Sequence, residues 1–343
     1  MEGDKMRKTV SLLIFVLFIS AALPVGAQTI SGPADKVAWH GYTQFWMNTD
    51  FNRGYNLALR RLKFWLGSGP AFSDHWSFKV QALFTSLGHE KFFLQDVYGQ
   101  YRNKSGVSSV RFGQFTPRYS LQRTQHDYLI APIERAMVIN ASIPGSGLGV
   151  RDIGLQYNLK AYNGKIEVNA GVFNGYGIKT YRLGNTGFML THNFTYTIKR
   201  PHALWKLGYS VMYRKAVDLL LKTILPDTVL FTGNDFRFDV YALFRNQKLD
   251  LQAEFSKTYL NGSQAYGYYA LATVYLNPKN ELYFSFDHFK DLNPATSDHP
   301  WYVAGYNYLF KKHDLMLTLD TRFRNDGGKV KNLTSMQFQM FFH

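Results

Sequence analysis

The 343 residues contain no cysteine, so no disulfide can staple the fold. Past the N-terminal segment, no apolar run approaches the ~20 residues that a membrane-crossing helix needs. Basic residues never gather into a long cluster of the kind that grips nucleic acid, so no nucleic-acid partner is expected. Lysine is missing from the whole stretch 116–149. By mean hydropathy alone the chain would pass for a soluble protein.

The N-terminus carries Lys5, Arg7 and Lys8, then an apolar run from Val10 to Leu23, then Val25-Gly26-Ala27. That order predicts a secretory signal peptide over 1–27, with residues 28–343 as the mature chain. The acids Glu2 and Asp4 are unusual in such a segment and make Met6 a candidate start. An exported protein without disulfides must be held together otherwise, and a sheet closed on itself, leaving no edge strand, can do that.

What the chain has in quantity is aromatic residues, 23 Tyr, 28 Phe and 6 Trp, a load that suits the aromatic girdles of a membrane barrel better than a soluble domain. They sit in segments of about ten residues that alternate apolar and polar. Trp76, Phe78, Val80, Ala82 and Phe84 alternate with Ser77, Lys79, Gln81 and Thr85. Phe236, Phe238, Val240, Ala242 and Phe244 alternate with Arg237, Asp239, Tyr241 and Arg245. Each segment has one greasy face, which only lipid or a second sheet can bury. About sixteen such segments can be counted, with tight connections such as Asn163-Gly164 and Asn246-Gln247. Long connections fall at Thr116–Gly149, Gly175–Thr186, Ala216–Asn234 and Asp291–His299. With both termini in the periplasm, every tight turn is expected on that side and every long loop outside. The fold class read from this is all-β, a transmembrane antiparallel β-barrel of about sixteen strands with short periplasmic turns and long extracellular loops. Parity breaks between Leu59 and Leu62, and a β-bulge at Arg60-Arg61 would restore the greasy face and keep both arginines out of lipid.

Four segments then carry a resemblance: Leu59-Arg60-Arg61-Leu62-Lys63-Phe64-Trp65-Leu66-Gly67, Asp74-His75-Trp76-Ser77-Phe78-Lys79, Leu94-Gln95-Asp96-Val97-Tyr98 and Arg111-Phe112-Gly113-Gln114-Phe115-Thr116-Pro117. In this order and at hairpin spacing they resemble the phosphate-selective porin O and P family of outer-membrane channels. The resemblance implies a sixteen-stranded homotrimeric porin whose third extracellular loop folds inward, and 116–149 follows the fifth strand, where that loop belongs. It also implies phosphate channels that rely on lysines of the inward loop, from which this lysine-free stretch departs.

Formal charge is +15, and outer-membrane lipid together with small anionic or polar solutes are the expected partners. The candidate solute-binding residues are Arg118, Arg123 and Arg135 on the loop and Lys79, Arg214, Arg237, Arg322 and Arg324 on the wall, with Asp127 and Glu134 offsetting the loop cations. Charge at the narrowest point of a pore sets ion preference, because field lines are focused there. No catalytic group, metal ligand set or cofactor motif is expected. Gly145-Ser146-Gly147-Leu148-Gly149 lacks the third glycine of the dinucleotide pattern, and no serine partners His192 by parity. An outer-membrane barrel acting as an adhesin or glycan-binding protein without an open lumen, or an integral barrel enzyme, is the alternative reading.

Overall fold

A sheet placed in hydrocarbon must pair every backbone group within itself, and the chain meets this by closing. The computed structural model describes residues 37–343 apart from 51–53, 69–73, 88, 144–149, 179–187, 297 and 343. The segment expected as a signal peptide and the glycine-rich run 145–149 lie outside the described residues. The first eight strands are β1 (Val37–Thr49), β2 (Tyr55–Ser68), β3 (Trp76–Thr85), β4 (Lys91–Arg102), β5 (Ser108–Phe115), β6 (Asp152–Ala161), β7 (Ile166–Phe173) and β8 (Met189–Arg200). The second eight are β9 (Ala203–Leu220), β10 (Leu230–Asn246), β11 (Leu249–Leu260), β12 (Ser263–Asn277), β13 (Asn280–Lys290), β14 (Trp301–Lys311), β15 (Leu315–Asp326) and β16 (Lys329–Phe342). Each pairs antiparallel with its sequence neighbours, and β1 pairs with β16 from Gly41↔Phe342 to Thr49↔Thr334.

Polarity is reversed relative to a water-soluble fold. Along β11, Asp250, Gln252, Glu254, Ser256 and Thr258 are buried, whereas Leu251, Ala253 and Phe255 are exposed. The single greasy face of each strand therefore points outward, and the polar face fills the interior. The register of β1 on β2 jumps from Gln44↔Arg61 to Phe45↔Leu59, leaving Arg60 as the extra residue of a bulge. Leu57, Phe64 and Leu66 stay exposed on the outer face, while Arg60 is buried and Arg61 reaches Gln44 Oε1 at 3.2 Å. A second bulge, at Gln95 between Gln81↔Asp96 and Ala82↔Leu94, turns both Gln95 and Asp96 inward.

Two expectations need correction. Long connection Ala216–Asn234 is mostly strand, since β9 and β10 stay paired, past a register shift between Phe231 and Gly233, as far as Leu230↔Leu220 and leave 221–229 as loop. Tight turns are not confined to one end: Asn261-Gly262 and Gly327-Gly328 close hairpins on the long-loop side. Asn261 at φ +48 and Gly262 at φ +94 have the left-handed pair that a two-residue turn requires, and that geometry serves either end of a barrel. The strand-to-strand path also gives the barrel a lipid face that can be tested. Leu251→Arg, on the outer face of β11 six residues below the outer end of the apolar band at Lys257, should cost about 2–4 kcal/mol of folding free energy in lipid vesicles, read from a urea titration, whereas Ser256→Ala on the inner face should cost under ~1 kcal/mol.

Candidate functional site

The stretch after β5 does not leave the barrel but crosses its interior. Ser120, at φ +67, turns the chain, and its hydroxyl accepts from Arg123 N to cap the one-turn helix α1 (Leu121–Thr124). The amides of Leu121 and Gln122 donate to the two carboxylate oxygens of Glu254 on β11, at 2.8 and 2.7 Å, and Tyr269 donates its hydroxyl to the same carboxylate at 2.6 Å. A carboxylate facing the free amides of a helix start satisfies donors that would otherwise be buried without partners. Ser120 N donates to Ser210 Oγ on β9 at 3.0 Å.

From there the chain returns to the opposite wall. Asp127 accepts from Lys63 Nζ on β2 at 2.6 Å and from Arg135, while Tyr128 packs edge-on against Phe341 of β16 at 4.7 Å. Asn307 on β14 donates to Ala131 O at 3.1 Å, and the bulged Arg60 donates to Ile133 O and to Glu134, both at 2.6 Å. A second helix, α2 (Met137–Ser142), then lies over β11–β13. Glycine is required beneath it, because a Cβ at Gly267 would run into the backbone carbonyl of His288 on β13 and stand 2.8 Å from Val138 Cγ2 of the helix. Arg237 Nη1 closes the C-terminal end of α2 by donating to Ser142 O and Ile143 O, both at 2.9 Å. Loop 221–229 covers α2 from above: Leu221 and Ile224 join Val138 and Ile139 in one apolar cluster, and Thr223 Oγ1 donates to Ala141 O at 3.0 Å.

The loop is thus anchored on both sides, and the space left open lies against β1–β5. A cavity of about 580 Å³ is bordered there by Arg61, Lys63, Lys79, Arg111, Arg118, Arg123, Arg135 and Arg151, eight cations facing only two carboxylates, Asp96 and Asp127. It shares Trp65, Lys79, Tyr98 and Arg111 with a neighbouring void of about 450 Å³, and Arg118, Thr124, Gln125 and His126 with another of about 420 Å³. Each carboxylate is divided between two cations: Asp96 takes Arg151 at 2.9 Å and Lys79 at 3.2 Å, as Asp127 takes Lys63 and Arg135. Among the described residues, Arg61, Arg111 and Arg118 have no carboxylate within 4 Å. Arg111 instead lies over the Tyr98 ring at 4.3 Å and donates to Gln100 Oε1 at 2.8 Å. Burial pushes the Arg123 guanidinium well below arginine's usual range, and neighbouring Arg135 and Arg151 push it further. An arriving anion would relieve that crowding.

The eight residues singled out from the sequence divide by place. Arg118, Arg123, Arg135 and Lys79 border the cavity, and among them Arg135 is also spent on the loop itself, donating to Gln122 O and Gln125 O. Arg214 and Arg237 are almost wholly buried around one shared carboxylate, Asp235. Arg322 lies 3.8 Å from Asp320, and Arg324 lies 3.3 Å from Asp326 and 4.8 Å over the Trp301 ring. Sequence reasoning did not include Arg61, Lys63, Arg111 and Arg151. Parity could have found two of them, since Arg111 stands between outward Val110 and Phe112, and Lys63 between Leu62 and Phe64.

A sequence profile of the family described as phosphate-selective porin O and P matches residues 40–313. The chain belongs to that family. Solved structures agree on the fold of this porin: OmpF of Salmonella typhi, in complex with daunomycin, superposes with a TM-score of 0.66 at 12% identity over 89% of this chain and 97% of that one. The outer-membrane channel DcaP of Acinetobacter baumannii gives 0.60 at 14% identity, with 89% and 97% covered, and OmpT of Vibrio cholerae in its trimer form gives 0.58 at 9%, with 89% and 99%. No curated protein matches the sequence closely enough to count as a relative. The porin is an outer-membrane channel for small solutes.

Asp127 supplies a pH test of the anchored loop. Burial pushes its carboxyl up, but Lys63, Arg135, Arg61 and Arg123 outweigh burial and hold it well below the usual range. A carboxyl with a depressed folded-state pKa contributes stability that is fully present above its unfolded value of ~3.9 and is lost only as pH falls through the lower folded value. Single-channel conductance and its noise should therefore stay constant from pH 8 down to about pH 4 as far as this anchor is concerned, and Asp127→Asn should raise both across that whole range.

Proposed function

We propose that this porin is an anion-preferring diffusion channel in which loop 116–149 sets the narrowest passage. The observation that carries the reading is the imbalance of eight cations against two carboxylates in the cavity between loop and wall. Two unit charges ~4 Å apart interact by ~1 kcal/mol in bulk water and ~4 kcal/mol at an effective permittivity near 20, so fixed charge in a narrow neck counts for more than the same charge at a wide mouth. Six of the eight cations are arginines. A guanidinium fork suits phosphate and carboxylate alike, so this reading takes small anionic or polar solutes as the cargo and phosphate as one member of the class. The same reading has residues 1–27 removed on export through the inner membrane, and homotrimers in the outer membrane, in keeping with the trimer form of the OmpT structure.

The wall opposite the loop gives the test. In a KCl gradient, wild-type channels in planar bilayers should show a zero-current potential of anion sign. Lys79→Gln combined with Arg111→Gln should lower the anion-to-cation permeability ratio several-fold, and the difference should shrink at 1 M salt, where screening shortens to ~3 Å. Arg322→Gln with Arg324→Gln should move it less. If the cavity pair left the potential unmoved while the Arg322/Arg324 pair shifted it, the selective passage would have to lie elsewhere.

A further inference from the structure

The outer face of the barrel carries two lysines where its neighbours are greasy. Lys257 on β11 lies between inward Ser256 and Thr258, both fully buried, so its side chain points out with Phe255 and Tyr259. Register places Lys257 beside Tyr266 on β12, and Tyr266 beside Lys290 on β13, in one row across three strands. Tyr266 follows buried Ala265, and Lys290 follows buried Phe289, so both side chains face outward too. Adjacent strands are ~4.8 Å apart, which sets the two lysine backbones about 10 Å apart, a gap that their side chains span.

The row sits at the long-loop end. Lys257 is three residues from the end of β11, and Lys290 is the last residue of β13. Aromatic rings frame it: Tyr259 lies 4.8 Å from Lys257 Nζ, and His288 packs on Tyr268 at 5.4 Å. Rings of this kind mark the depth at which lipid headgroups begin. Every carboxylate of β11–β13 is buried on the inner side, and Lys290 Nζ meets only the far edge of an ion pair, 3.9 Å from the half-exposed Asp298. Two cations at headgroup depth on an otherwise apolar wall complement a negative headgroup whose acyl chains would lie along Phe255, Tyr268 and Phe286 below.

We propose that Lys257 and Lys290, with Tyr266 between them, form a binding site for the phosphate group of a lipid in the outward-facing leaflet. The proposal rests on the membrane-spanning reading of the barrel and not on the channel's ion preference, because neither lysine borders the interior.

The test compares detergent-purified wild-type porin with the double variant Lys257→Gln/Lys290→Gln by native mass spectrometry, after addition of diphosphoryl lipid A or the same lipid with its phosphates removed. Wild type should retain the phosphorylated lipid in preference to the other, and the double variant should bind it roughly thirtyfold more weakly. Lys257→Arg/Lys290→Arg should restore binding. Heat-modifiable migration and single-channel conductance should match wild type in both variants, which reports that the barrel is intact. Equal retention of the two lipids, or unchanged retention by the Gln variant, would overturn the proposal. So would displacement of the lipid by inorganic phosphate at equal concentration, which would make this a free-anion site. A change in oligomer size with lipid retention unmoved would assign the face to contact between copies instead.

Discussion

A strand in hydrocarbon has no water to satisfy the amides and carbonyls along its edge, and the rest of this molecule follows from how that constraint is met. The β1–β16 pairing removes the last edge. Closing the sheet fixes an inside and an outside, and because the outside is lipid, alternation along every strand sends polar side chains inward. Groups that a soluble protein would display to water are here packed against one another, which is why Arg60, Arg214 and Arg237 rank among the largest fully buried side chains.

Buried cations need partners, and the interior supplies them sparingly. Asp96, Asp127 and Asp235 each serve two cations, and Glu254 serves two amides and a tyrosine hydroxyl. The loop between β5 and β6 acts as the core that a hollow sheet lacks. It brings Asp127 to Lys63 and Glu134 to Arg60, and it takes donors from β14 and β10 onto its carbonyls. On the side of β11–β13, carboxylates take the loop's amides in place of cations: Glu254 accepts from Leu121 N and Gln122 N, and Asp287 from Met137 N. Against β1–β5 cations are left in excess, eight of them bordering a cavity with two carboxylates.

Much of this was legible in the sequence because period-two alternation is a direct imprint of a wall with lipid on one side. Sixteen segments were countable, and the parity break at Arg60-Arg61 marked a bulge that the β1–β2 register contains. The bulge at Gln95 was not seen, although the same kind of parity break marks it: Phe92 and Leu94 face out before it, Val97 and Tyr101 after it. Helix α2 left no usable signal: Met137–Ser142 is under two turns, and its apolar side chains find their partners on β12, β13 and loop 221–229, all more than eighty residues away. Arg214 and Arg237 show the limit of parity. It placed them inside correctly, but nothing in one dimension tells a guanidinium that faces water from one closed around Asp235.

The anchors of the loop also order events in time. Glu254, Asp287, Asn307, Asp320 and Gln339 all lie far downstream in the chain of the segment that they hold. Contacts of such long sequence separation form late, once the intervening chain has been confined. Arg60 and Lys63 on β2 precede that segment, so the loop is fully seated only when strands from both ends of the chain stand in one closed sheet.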